Sequence, residues 1–183
     1  MIKYKRKKKE KDPRETWGEE EMSCVEEVRI RLRSTRYEVE ESLFSVEDEE
    51  GVTIMEDEGA PEPQTIDINT VGKRERAEGR LKLFYEETEA TGMDGSTTAI
   101  TFLENQPEVV SMIREGAVST ALVFEEGRRH HCLYQTPFMP FEICVHTMKV
   151  ENRLAEEGYL ELDYVIEIRG AKAERTKFRM EVL

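Results

Sequence analysis

The chain has too few cysteines to be stapled. Cys24, Cys132 and Cys144 are the only three in 183 residues. Their number and uneven placement exclude a disulfide framework, so a reducing compartment is expected. Long apolar runs are also missing. No stretch approaches the roughly 20 residues that a membrane-spanning helix needs. The basic N-terminus, Met1–Lys9, is not followed by the apolar segment of a secretory signal. The expectation is a soluble, cytoplasmic protein without a membrane partner. Three further absences narrow the chemistry. There is no Gly-rich phosphate loop, no strand–helix alternation of the nucleotide-binding folds, and no serine in a nucleophile elbow. The three histidines stand beside no obvious nucleophile. No catalytic residue and no cofactor are therefore assigned.

Positive charge is scarce except in one place. The net charge is −13, which opposes general nucleic-acid binding. Residues 1–11 hold six lysines, one arginine and one glutamate, a net +6, which leaves −19 for the remainder. Residues 1–23 lack apolar periodicity and read as a flexible charged arm. That arm is the one segment that could hold RNA weakly. Residues 38–62 contain eleven acidic residues and no lysine or arginine, and read as a long solvated excursion. A short strand at Val52–Met55 is the one element expected within it. The acidic run lacks the spacing of an EF-hand.

What is present is period-two alternation. Val28, Ile30 and Leu32 alternate with Arg29, Arg31 and Arg33, the pattern of a half-buried strand with a cationic outer face. The same alternation begins at Ile66 and is expected to end near Gly72. It returns at Leu81–Tyr85, Ile100–Phe102, Val110–Arg114, Val118–Phe124 and Leu160–Ile168, and closes at Phe178–Val182. Thr91–Ser96 reads as a turn from its glycines and Asp94. Asn152–Gly158 reads as a polar loop, with a single helical turn possible from Arg153, and Gly170 as a turn. Between 128 and 148 two extended segments fold back on a turn bearing Pro137 and Pro140. No helix longer than two turns is expected. Short strands with turns every 8–12 residues predict an all-β protein. The reading is a single antiparallel β-barrel of about eight to ten strands over residues 24–183, preceded by the disordered arm.

Several short pieces of the chain, in their order and spacing, form a pattern. They are Leu83–Glu87, Ile113–Gly116, Phe124–Gly127 with Arg128 and Arg129, Tyr134–Pro137, Phe141–Ile143, Thr147 and Tyr164. On these pieces the sequence from about residue 28 onward resembles the YwiB-like family of small bacterial proteins. The resemblance implies a calycin-type, lipocalin-like barrel in the cytoplasm and implies no reaction. The chain carries Met139 two residues after Pro137, where the family often has glycine.

Two constellations could carry function. Glu87 shares parity with Leu81, Leu83 and Tyr85, and Arg114 shares parity with Val110 and Met112. Both charges are therefore expected inside the barrel, near its mouth, in one polar network. With Tyr85, Tyr134, Thr136, Thr147 and Tyr164 they form the candidate ligand-binding set, on the reasoning that small-ligand sites are apolar with a few converging polar groups. A polar network that merely closes one barrel end is the structural alternative. The second constellation is His130, Cys132, Cys144 and His146. With the hairpin centred on Phe138 they fall on one face in two cross-strand pairs. Flat strand pairs rarely converge on a tetrahedral ion, so no metal is assigned. The sequence thus suggests a barrel that binds a small molecule. A side-chain-filled accessory protein is the alternative, and an enzyme using Glu87 and Arg114 the lesser one. Ligand identity and oligomeric state are not legible.

Overall fold

The computed structural model describes residues 24–38, 62–168 and 171–183. The expected arm over 1–23, the strand at Val52–Met55 and the turn at Gly170 lie outside them. Ten antiparallel strands make up the described chain. They are β1 (Cys24–Glu38), β2 (Gln64–Ala77), β3 (Arg80–Glu86), β4 (Thr97–Leu103) and β5 (Gln106–Glu115), then β6 (Ser119–Glu125), β7 (Arg129–Gln135), β8 (Pro140–Arg153), β9 (Tyr159–Ile168) and β10 (Ala171–Val182). Each pairs with its neighbour in sequence, and β1 closes the ring against β10. The fold is a closed all-β barrel, the arrangement that removes sheet edges. One 3-10 turn, Glu89–Thr91, is the only helical element among the described residues.

Alternation explains the core. Leu81, Leu83 and Tyr85 on β3 are buried, as are Ile100 and Phe102 on β4, Val110 and Met112 on β5, and Leu122 and Phe124 on β6. Burying a side chain of this size contributes about 1.5–3 kcal/mol. The intervening positions face outward and carry most of the charge. Arg31 and Arg33, for example, both grip Asp67 across the β1–β2 pair.

Four local features differ from the sequence expectation. β2 runs straight through Gly72, which pairs with Val28 on one side and Tyr85 on the other. A Cβ there would meet the Phe84 carbonyl oxygen at 2.9 Å, so glycine permits close packing of the backbone rather than ending the strand. β5 begins at Gln106 and includes Pro107, just after a register shift between Thr101 and Leu103. A proline fits at such a strand start. β8 continues to Arg153, bulging between Thr147 and Lys149. The polar loop that follows also contains a core residue, because Leu154 is 1% exposed. Glu157 N donates to the Arg153 carbonyl at 2.8 Å, which makes the single turn expected from the sequence.

The fourth is the β7–β8 register. Cys132 pairs with Ile143 and His131 with Cys144, one residue away from the register that puts all four His and Cys side chains on one face. The cause is loop parity. Four residues, Thr136–Met139, connect Gln135 to Pro140, so the turn centres between Pro137 and Phe138, not on Phe138. The Thr136 hydroxyl holds the turn. It accepts from Phe138 N and Met139 N and donates to the Met139 carbonyl. Among the described non-glycine residues only Glu78 has positive φ, so Met139 fits the turn without glycine's freedom. A one-residue slip moves every side chain to the opposite face. His130 and Cys132 therefore share the inner side with Tyr134, whereas Cys144 and His146 lie on the outer side.

Candidate ligand-binding cavity

The strand registers build a girdle inside the barrel. Reading across the ladders, Tyr85 pairs with Thr98, Thr98 with Arg114, Arg114 with Thr120, Thr120 with Tyr134, and Tyr134 with Phe141. All are inward positions by the alternation of their strands. One step deeper the row is apolar: Leu83, Ile100, Met112 and Leu122. A polar belt thus sits above an apolar belly.

Above the belly is a cavity of about 740 Å³, within the range of small-ligand pockets. Its walls include Leu32, Ile68, Met112, Leu122, Ile143 and Phe178, and its polar lining includes Tyr85, Glu87, Arg114, Tyr134 and Tyr164. Residues at the ends of β1, β5 and β9 and in the β3–β4 connection also line it. Its opening is therefore at the barrel end where β1, β5 and β9 finish and the β3–β4 connection lies.

Glu87 is placed by an extension of the β3–β4 ladder, its backbone N–H donating to the Ser96 carbonyl at 2.8 Å. Parity carries its side chain inward, where the carboxylate is 1% exposed. The Thr98 hydroxyl donates to Glu87 Oε1 at 2.5 Å, and Arg114 Nε donates to the same hydroxyl at 3.1 Å. Arg114 Nε lies 3.4 Å from Glu87 Oε1, with the guanidinium side chain 13% exposed. Thr98 therefore bridges a buried ion pair. A charged pair in this setting is stable only with such additional hydrogen bonds. Burial pushes the Tyr85 hydroxyl pKa well up, and the neighbouring Glu87 charge raises it further. Burial also raises that of Tyr164. Both rings keep their protons at any physiological pH and stay hydrogen-bond donors.

Gly116 brings the two halves of this cluster together. It has φ +141, and an added Cβ would come within 2.6 Å of Ser96 Cα and 2.7 Å of the Gly95 carbonyl. The turn that follows Arg114 on β5 thus presses directly onto the connection that fixes Glu87.

Of the seven residues singled out from the sequence, five line the cavity: Tyr85, Glu87, Arg114, Tyr134 and Tyr164. Tyr134 stacks near Phe141, ring centroids 5.1 Å apart, and Tyr164 near Phe124 at 4.8 Å. The Thr136 hydroxyl is occupied with its turn. Thr147 is fully buried opposite Tyr164, and its hydroxyl has no hydrogen-bond partner among the described residues. Thr98 is not one of the seven, although its parity with Ile100 and Phe102 places it inside. Arg36 and Glu174, 3.9 Å apart, also line the cavity and are hidden in charged stretches of sequence. Among the described residues no group of three or more His, Cys, Asp or Glu side chains is arranged to hold a metal ion.

The fold has a solved counterpart. The ywiB protein from Bacillus subtilis superposes with a TM-score of 0.57 over 86% of this chain and 93% of its own, at 16% sequence identity. At that identity the likeness concerns the fold alone. No curated protein matches the sequence. Residues 50–180 match the family described as Domain of unknown function (DUF1934). With most of its barrel inside that match, the chain belongs to the DUF1934 family, whose YwiB-like barrel it shares.

Proposed function

We propose that this protein binds a small molecule with a largely apolar body, admitted through the barrel mouth and seated above the Met112–Leu122 belly. The observation that carries the reading is the cavity of about 740 Å³, apolar in its walls and polar at one belt. A barrel of this kind can be packed solid with side chains or can enclose a ligand, and an open interior favours the second role over a purely structural one. The lesser reading, catalysis by Glu87 and Arg114, has less support. The Glu87 carboxylate is engaged by Thr98 and Arg114, and the Thr98 hydroxyl beside it belongs to a fully buried residue. The unbridged register of Cys132 and Cys144, both free thiols, suits a cytoplasmic setting.

The test is a fluorescence titration with the uncharged apolar probe N-phenyl-1-naphthylamine. Saturable binding near one per chain is expected for the wild type. It should fall at least tenfold when Leu122→Trp fills the belly, with the circular dichroism spectrum unchanged. No saturable binding to the wild type, or equal binding by both proteins, would overturn the reading.

A further inference from the structure

The polar belt has more donors than the protein uses. Arg114 carries five N–H donors in a planar fork. Its Nε is turned to Thr98 and Glu87. No hydrogen bond or ion pair involves Nη1 or Nη2 among the described residues, although the side chain is only 13% exposed and lines the cavity. The Tyr85 and Tyr164 hydroxyls line the same cavity. Of the three lining carboxylates, Glu87 already receives Thr98 at Oε1, Glu174 is paired with Arg36, and Glu38 stands at the end of β1. The Arg114 Nη edge faces the cavity without a protein acceptor among the described residues, so it is free to receive an acceptor-rich group from outside.

Resting on the binding role proposed above, we propose that the ligand is an amphiphile whose head group is a single carboxylate, received by the free edge of Arg114. A guanidinium fork matches the two oxygens of a carboxylate, and the charge-assisted bonds are roughly twice as strong as neutral ones. The charge balance selects a monoanion. Glu87 lies on the Nε side of Arg114, 3.4 Å away, and the Nη edge is left for a head group with one negative charge. A second negative charge on the ligand is repelled by Glu87 at short range in a low-dielectric site. At the rim, Arg36 is already paired with Glu174 and Glu38 adds further negative charge, so the mouth offers no compensation to a dianion. A cationic head at the belt would meet the Arg114 fork directly, with Glu87 Oε2 as the acceptor beside it and Glu38 only at the rim. The apolar body lies where the walls are apolar, against Leu32, Ile68, Met112 and Phe178.

Competition against bound N-phenyl-1-naphthylamine tests this directly, using decanoate, decanol, decylamine and decyl phosphate below their micellar concentrations at pH 8. Decanoate should displace the probe at least tenfold more effectively than each of the others from the wild type. In the charge-free pair variant Glu87→Gln/Arg114→Met, decanoate and decanol should compete equally, each measured against the probe affinity of that same variant. Arg114→Lys is the second variant, should the double one misfold. It keeps the charge without the fork and should reduce the decanoate advantage severalfold. If the probe binds the wild type but the four heads compete equally, or the amine or phosphate competes best, the head-group assignment is overturned and the binding role stands. If the probe itself does not bind, the binding role falls first.

Discussion

Arg114 and Glu87, on strands separated by a single hairpin strand, meet inside the barrel at 3.4 Å with a threonine hydroxyl between them. The carboxylate is nearly sealed from solvent. Removing one partner strands the other, so Arg114→Ala should destabilise the protein by about 3–5 kcal/mol. Glu87→Gln combined with Arg114→Met should cost much less than the sum of the single changes. A coupling of about 1–3 kcal/mol in urea denaturation is expected from the double-mutant cycle. Strict additivity would show that the pair does not interact.

Thr98 is the hinge of that contact. Thr98→Val keeps the shape and removes the O–H, so Glu87 loses its hydroxyl donor and Arg114 its hydroxyl acceptor, and only the direct 3.4 Å ion pair remains. A loss of about 1–3 kcal/mol is expected, and Thr98→Ser should restore most of it. Equal melting temperatures for the Thr98→Val variant and the wild type would mean that the bridge carries no weight.

Gly116 is expected to be irreplaceable in a way that Gly79 is not. Both have positive φ, but a Cβ at Gly79 meets nothing within 4 Å, whereas at Gly116 it collides with the backbone of Gly95 and Ser96. Gly79→Ala should cost about 1–2 kcal/mol from backbone strain alone. Gly116→Ala should cost more and should also weaken probe binding by moving Arg114 away from Glu87. Equal losses at the two sites in thermal melts would contradict the close approach.

On the outer wall, Glu161 accepts hydrogen bonds from Lys149, Arg179 and Tyr159, which together hold its pKa down to about 2. A carboxylate whose folded pKa is depressed adds stability above its unfolded value near 4.5. That stability is lost as pH falls toward 2. The side chain keeps 21% exposure, so solvent screening limits its contribution to about 1 kcal/mol. Glu161→Gln should therefore be less stable than the wild type at about pH 6, with the gap closing between pH 4.5 and 2. A gap that is unchanged at the acid end in chemical denaturation would refute this.

The barrel was legible because its strands alternate, and alternation is a local property. The meeting of Glu87 and Arg114 followed from parity along two strands flanking one hairpin strand, with no bulge between the apolar positions and the charge. Thr98 was equally legible by parity, but a threonine between Thr97 and Ala99 carries no contrast to draw notice. The β7–β8 pairing was not legible, because it turns on whether three or four residues form the loop, and Thr136 decides that through its hydroxyl. Gly72 misled for a related reason. A glycine ends a strand or lets another backbone approach, and only the neighbouring strand tells which. Leu154 was masked by polar neighbours, since one inward residue in a turn makes no period.

The most direct test of the account is native mass spectrometry of the protein purified gently from its own cells, alongside the Leu122→Trp variant prepared the same way. The account predicts a wild-type population carrying one small molecule, released on collisional activation as a singly charged anion with an apolar body and absent from the variant. Wild-type protein whose mass is that of the chain alone, together with no saturable uptake of an apolar probe, would contradict it.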